Sequence, residues 1–339
     1  MATCWKHLQQ QPDINLTVIA FQACTNTAFA NDLMDGITHR LLSPEDRHSF
    51  PLIKQAILDA KPHIVVLCGW LHPPYRQLTT DPDFAQVKFV MGMDTPWQGT
   101  LKQHLAPLVL RRYLSQLDQV VVTGERSWQY ACRLGIAPDR IQPGLYGIDY
   151  ETWQPLLAQR LTEPWPKSFL FIGRYVAVKG IDLLVTAYQQ YRTQVHDPWD
   201  LVCCGQGQLA PLLQNQIGIL NQGFVQPTKL SSIWRHAGAL ILPSRFDPWP
   251  LVLLEAAAAG LPVICTQACG SAVEVIRHDY NGLNVPPEQP DALTRAMVTL
   301  HHRYSDLPTW GQRSQTLAKP YAASLWAQRW TRQLTAMVV

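Results

Sequence analysis

Residues 169–194 read FLFIGRYVAVKGIDLLVTAYQQYRTQ. An apolar run ends at Gly173, a basic turn carries Arg174 and Lys179, and a helix-like stretch opens at Gly180. A short buried run followed by a longer mixed one is half of a βαβ unit, and the same alternation recurs along the chain. Strand-like runs fall at 16–21 (LTVIAF), 63–70 (HIVVLCGW), 88–93 (KFVMGM) and 119–124 (QVVVTG), then at 169–174, 201–205 (LVCCG), 239–244 (ALILPS) and 262–266 (PVICT). Helix-like stretches such as PLIKQAILDA, LAPLVLRRYLSQL and PDALTRAMVTLHHRY lie between or beyond them. Residues 148–168, with three prolines and no clear period, read as a linker. The expectation is two α/β domains with parallel sheets, 1–150 and 165–320, and a closing helix within 321–339.

The length of 339 residues suits two domains, and 47% hydrophobic with 16% charged content suits two ordinary cores. Net charge is +3, and residues 1–150 balance 13 Lys+Arg against 13 Asp+Glu. Clustered cations are missing, so nucleic acid is not the expected partner; a weak basic patch touching a membrane stays compatible. The eight cysteines form no CxxC and read as reduced, mostly buried thiols, which suits the cytoplasm. Lys6, LTVIAF and Ala28-Phe29-Ala30 imitate a secretory leader, but Asp13 precedes the run and Gln22 and Cys24 interrupt it, so a strand is expected. No run approaches the roughly 20 apolar residues of a membrane span.

Four features carry candidate chemistry. In SRFDPWPLVLLEAAAAGLPVI (244–264), Asp247 reads as a helix N-cap with Pro248 in the first turn. Trp249, Leu251 and Val252 then offer free N–H groups, and helix N-termini bind phosphate. Glu255 is the only charge in an apolar helix body and needs a partner or an opening, because a buried lone carboxylate costs several kcal/mol. Taken alone, the pair also fits a plain cap and a structural ion pair. Arg174 and Lys179 at a strand's C-terminal end suit a diphosphate, or a solvated basic turn. CGQGQLA (204–210) fits GxGxxA, yet no Asp or Glu stands between Asp200 and Asp247, which rejects a nicotinamide site; Gly205 and Gly207 still allow a close backbone approach to a nucleotide. Asp81-Pro82-Asp83 is a DxD, but it follows polar RQLTT and reads as a surface turn. The histidines show no metal-ligand spacing, and neither GxSxG nor a Walker loop occurs.

In this order the pieces resemble the retaining GT-B glycosyltransferases of family 4, the glycosyl transferases group 1. The carriers are Gly173-Arg174, Lys179-Gly180, Gly205-Gln206-Gly207, Pro243-Ser244-Arg245, Asp247 and Glu255 with seven residues between, Ala256, Gly260-Leu261-Pro262-Val263, Gly270, Glu274 and Asn281 to Leu283. The match covers about residues 115–300. It implies two Rossmann-like domains facing across a cleft, with the acceptor in the first and a nucleotide diphosphate sugar in the second. On the donor side it implies Gly173, Arg174, Lys179, Gly205, Gly207, Val225, Asp247, Pro250, Leu251, Val252 and Glu255. Glu255 would accept from the ribose hydroxyls, Arg174 and Lys179 would hold the diphosphate, and Asp247 would lie near the sugar or phosphates. Transfer would be retaining and metal-independent, with no cofactor beyond the donor and a carbohydrate or glycolipid acceptor.

The chain departs from the pattern in places. Asp247 replaces a Glu, Pro250 a Gly, Cys269 a Gly and Tyr146 an Asn; Met93 stands where many relatives have a His, with Asp94 beside it. Asp94, His72 and Arg126 are the weaker acceptor-side candidates, Asp94 also as a catalytic polar group. Trp70, Trp97 and Tyr75 could stack on an acceptor, though core packing suits them better. CWKHLQQQ resembles the family's first helix with no strand before it, so the first sheet is expected to lack its central strand. The remaining alternative is a nucleotide-sugar-binding protein or complex subunit without catalysis. The expected location is cytoplasmic, or peripheral at the inner membrane face.

Overall fold

The computed structural model describes residues 1–22 and 33–338, with the side chain of Thr228 left aside. The chain divides into two units, Met1–Gly147 joined by the C-terminal segment from Ala323, and Ile148–Ala322. Among the described residues every strand ladder is parallel.

The second unit holds β7 (Ser168–Ile172), β8 (Asp200–Cys204), β9 (Ile219–Gly223), β10 (Ala239–Leu242), β11 (Val263–Thr266) and β12 (Gly282–Val285) in the order β12-β11-β10-β7-β8-β9. The apolar runs of β10 and β11 are buried at every position, as a parallel sheet with covered faces requires. The helix Ile181–Gln194 turns Ile181, Leu184, Val185, Tyr188 and Tyr191 inward at helical spacing. Strand order reverses between β7 and β10, the kind of switch point where open α/β sheets bind ligands.

Residues 148–168 are not a free linker. They fold into the second unit as the helices Tyr150–Trp153 and Pro155–Arg160. Arg160 is buried and donates to the carbonyls of Ala259 and Trp234 at 2.8 and 2.7 Å. Burial pulls its guanidinium down to about 10. The prolines hid a packed segment, in which Trp153, Leu156 and Leu157 are buried along with this arginine.

The first unit has β1 (Val18–Phe21) paired with β2 (His39–Leu42), and a separate sheet β3-β4-β5-β6 formed by Ile64–Cys68, Lys88–Met93, Gln119–Val122 and Ile141–Pro143. No ladder joins β1 to β3 among the described residues, so β1-β2 and β3-β4-β5-β6 are separate sheets, with the expected gap beside β1. The helices Ala2–Gln9 and Ala323–Val338 pack together through Cys4, Leu8, Ala323, Trp326, Ala327 and Trp330, over Val90 and Val121. Trp326 and Trp330 donate their indole N–H groups to the carbonyls of Leu145 and Gly144 at 3.1 and 3.0 Å. Trp70, Tyr75 and Trp97 pack against the first unit's core.

Cys4, Cys203, Cys204, Cys265 and Cys269 are buried, Cys132 is half-buried and Cys68 exposed; Cys24 and Ala28-Phe29-Ala30 lie outside the described residues. Among the described residues no helix is long and apolar enough to cross a membrane.

Candidate functional site

The donor-side residues named from sequence follow β7, β8, β9 and β10 at the C-terminal edge of the second sheet, on their loops and on the helix after β10. β7 runs into Gly173 and Arg174, a short turn brings Lys179, and Gly180 adopts φ +70 to open the next helix. A Cβ at Gly180 would lie 2.0 Å from the Pro243 carbonyl oxygen, so this glycine lets the β7 turn touch the end of β10. Lys179 and Asp247 meet there in an ion pair between Nζ and Oδ2. Their side chains retain only 19% and 9% exposure, so little water competes for the charges. Arg174 is exposed beside them, with no ion-pair partner among the described residues.

Arg245 is a structural clamp that sequence reading assigned no role. It grips Asp182 through two parallel bonds of 2.7 and 2.8 Å and Glu288 at 2.7 Å, and also donates to the Ala177 carbonyl. A bidentate guanidinium–carboxylate pair is among the strongest polar contacts available. It holds the Asp182 carboxyl below its ordinary range. No sequence signal links partners 63 residues apart.

Asp247 is not the helix cap. The helix begins at Leu251, after an extended Pro250, and runs to Ala258. Pro248 and Pro250 keep 247–250 out of the helix, and Asp247 bridges to Cys269 in the loop after β11. Asp247 N–H donates to Ala268 at 3.2 Å, and Gly270 N–H donates to Asp247 at 2.8 Å. A Cβ on Gly270 would lie 1.7 Å from the Pro248 carbonyl oxygen. Freed from capping, the Asp247 carboxylate serves Lys179 instead. Leu251 and Val252 remain in the first turn, where N–H groups have no intrahelical acceptor. Ser271 Oγ donates to the Pro250 carbonyl at 2.9 Å and fixes that turn.

Glu255 lies one turn further along. Its side chain stays half-buried, yet protein surrounds it densely, and burial pushes the carboxyl up to about 7. Within the second unit it has no hydrogen-bond donor or cation, contrary to a structural ion pair. Asp149 is its ionisable neighbour there and pushes the same way.

Gly205 and Gly207 have φ +155 and +154, and Cβ atoms there would stand 1.9 and 2.4 Å from the carbonyl oxygens of Gly173 and Tyr175. Their close approach is to the β7 loop, locked by Tyr175 N–H to Gln206 and Leu209 N–H to Tyr175, at 2.8 and 2.9 Å. Val225 lies half-buried in the loop after β9. Cys269, in place of the family glycine, is buried, which raises its thiol to about 11.

In the first unit, His72, Asp94 and Arg126 follow β3, β4 and β5, at one edge of that sheet. Asp94 Oδ2 accepts from Tyr146 Oη at 3.2 Å, so the tyrosine that departs from the family pattern pairs with the aspartate beside Met93. Burial, then the Asp94 charge, raises the Tyr146 phenol. His72 packs among Phe21, His48 and Tyr75, its Nε2 buried without a partner, and burial lowers its pKa. The DxD is a turn: Asp81 caps the next residues, and Lys54 pairs with Asp81 and Asp83 at 2.8 and 2.7 Å. Among the described residues no three His, Cys, Asp or Glu side chains gather as a metal ligand set.

Residues 158–315, which lie within the second unit, match the family model described as Glycosyl transferases group 1. An uncharacterized glycosyltransferase of Methanocaldococcus jannaschii, MJ1607, is 34% identical over 38% of this chain and 34% of its own length. The D-rhamnosyltransferase WbpZ of Pseudomonas aeruginosa is 27% identical over 62% of this chain and 59% of its own. The chain thus matches about a third and about three fifths of the length of these two curated relatives. The crystal structure of Anabaena Alr3699/HepE in complex with UDP superposes with a TM-score of 0.73 at 14% identity, covering 95% of this chain and all of that one. At that identity the likeness is one of fold: two Rossmann-like domains of the GT-B kind.

Proposed function

We propose that the protein transfers a sugar from a nucleoside diphosphate sugar to a carbohydrate or glycolipid acceptor, with retention at the anomeric carbon and without a metal. The observation that carries this reading is the Lys179–Asp247 ion pair at the β7/β10 switch point, beside exposed Arg174 and the Leu251 N-terminal turn. An ammonium has three donors, so Lys179 can keep Asp247 and still donate to a phosphate. As the glycosidic bond to the donor breaks, negative charge grows on the leaving diphosphate. Two cations and two backbone N–H groups aimed there would lower the barrier by several kcal/mol. Glu255, raised in pKa and lacking a donor within its unit, suits the two hydroxyls of a ribose. None of these side chains is placed as a nucleophile, which agrees with a front-face path in which the leaving phosphate helps take the acceptor proton.

One observation favours a second reading, donor binding without transfer: in the acceptor-side unit no ladder joins β1 to β3 among the described residues. The two separate on turnover. The enzyme reading expects slow cleavage of one nucleoside diphosphate sugar in EDTA, with the α or β configuration kept in the first-formed sugar by NMR. Binding with no cleavage and no transfer to any glycan or glycolipid acceptor supports the second reading; inversion, or an absolute need for added metal, contradicts the mechanism proposed.

A further inference from the structure

The helix Leu101–Leu114 of the first unit has two apolar faces. Gln103, Leu110, Tyr113 and Leu114 are buried. The opposite side carries Leu101, Leu105, Leu108 and Val109, exposed at 76%, 49%, 76% and 72%. With 3.6 residues per turn, these four share one stripe, and Arg112 continues it a turn further on. Lys102 and Arg111 flank the stripe, both exposed. From Thr95 to Leu117 the sequence contains no Asp or Glu. Scattered exposed apolar residues need no explanation, but three leucines and a valine in line with cations around them do.

The start of the helix is held firmly. Thr100 Oγ1 accepts from Gln103 N–H at 3.3 Å, and the Gln103 amide donates to Pro96 and accepts from Gln98 N–H at 2.9 and 2.7 Å. Tyr113 Oη donates to Gly69 at 3.1 Å from the buried side. The apolar stripe is therefore presented on a fixed helix.

We propose that this face docks on an anionic lipid bilayer, the leucines and Val109 entering the interface while Lys102, Arg111 and Arg112 meet the headgroups. A helix with an apolar stripe, basic margins and no acid is built for a membrane surface. Each cation near an anionic surface adds attraction, and the long stems of Lys and Arg let their charges stay in the headgroup layer while the stripe is buried. A second copy fits less well, because the same face of another chain offers these cations no acid to meet. The inference stands on residues outside the donor site, so its failure leaves that reading intact.

Flotation of the full chain with vesicles tests it. Wild type should float with phosphatidylcholine–phosphatidylglycerol vesicles at least about tenfold more than with phosphatidylcholine alone, and less at high salt. Leu105→Glu/Leu108→Glu and, separately, Arg111→Gln/Arg112→Gln should each lower flotation about tenfold while melting like wild type by circular dichroism. These positions are exposed, so both variants should fold. Failure of wild type to float, or flotation unchanged in both variants, overturns the proposal. So does a dimer in vesicle-free gel filtration that Leu105→Glu/Leu108→Glu dissolves, since the face would then belong to a second copy.

Discussion

Lys179 Nζ is bonded to Asp247 Oδ2 across the reversal of strand order between β7 and β10. Each residue comes from a loop shaped for this meeting: Gly180 lets the first pass against Pro243, and the helix after β10 starts only at Leu251, which leaves the second outside it. The pair holds one cation in place at a strand edge where a diphosphate is expected to sit.

Lys179→Ala should lower turnover by about 10²–10³-fold, the scale seen when one charge-stabilising donor is removed. Affinity for the free nucleoside should stay near wild type, because the ammonium faces the phosphates and not the base. Steady-state kinetics with nucleoside titrations check both halves. The same variant leaves Asp247 buried without its cation, so it should unfold about 1–3 kcal/mol more easily, and Lys179→Ala/Asp247→Asn should recover part of that loss.

Glu255 sets a pH dependence. Its carboxyl is raised in the fold to about 7, above the unfolded value, so between about pH 4.5 and 7 the native state holds the proton that the unfolded chain releases. Stability should be highest below that window, fall by about 1–3 kcal/mol as pH rises through it, and then level off. Glu255→Gln should abolish that slope in urea titrations. Ribose hydroxyls donate to the carboxylate form, so wild-type nucleotide affinity should rise with pH through 7, and the Gln variant should lose that rise.

Gly180→Ala would place a methyl 2.0 Å from the Pro243 carbonyl oxygen, in a backbone conformation that disfavours side chains. It should lower the unfolding free energy by about 2–4 kcal/mol and weaken nucleotide binding, measured by denaturant titration and calorimetry. Arg245→Lys keeps the charge but loses the paired bonds to Asp182, and should cost about 1–2 kcal/mol.

Asp94→Asn should reduce transfer to acceptor about tenfold while donor cleavage and nucleotide affinity stay near wild type; Tyr146→Phe should act in the same direction more mildly. Equal losses in donor binding and transfer would remove Asp94 from the acceptor side.

The four inner strands of the second sheet were legible because they are short and apolar, as FLFI and ALIL show. The glycines and cations at its edge were legible as a motif. What escaped has a common cause: it depends on contacts between distant residues. The start of the helix at Leu251 depends on how 247–250 lies along 268–270, which overrode the capping preference of Asp247. Arg160 and Arg245 look like ordinary surface cations in sequence, yet each ties together segments tens of residues apart. The short ladders of β2, β6, β9 and β12 carried too weak a run to be read beforehand.

The central claim is a donor site for a nucleoside diphosphate at the β7/β10 edge. Its most direct test is calorimetric titration of UDP, GDP and ADP into the full chain in EDTA, beside Lys179→Ala. The account predicts that one of the three binds, and that Lys179→Ala weakens the diphosphate while leaving the matching nucleoside unchanged. Failure of all three to bind, or equal weakening of nucleoside and diphosphate, would contradict it.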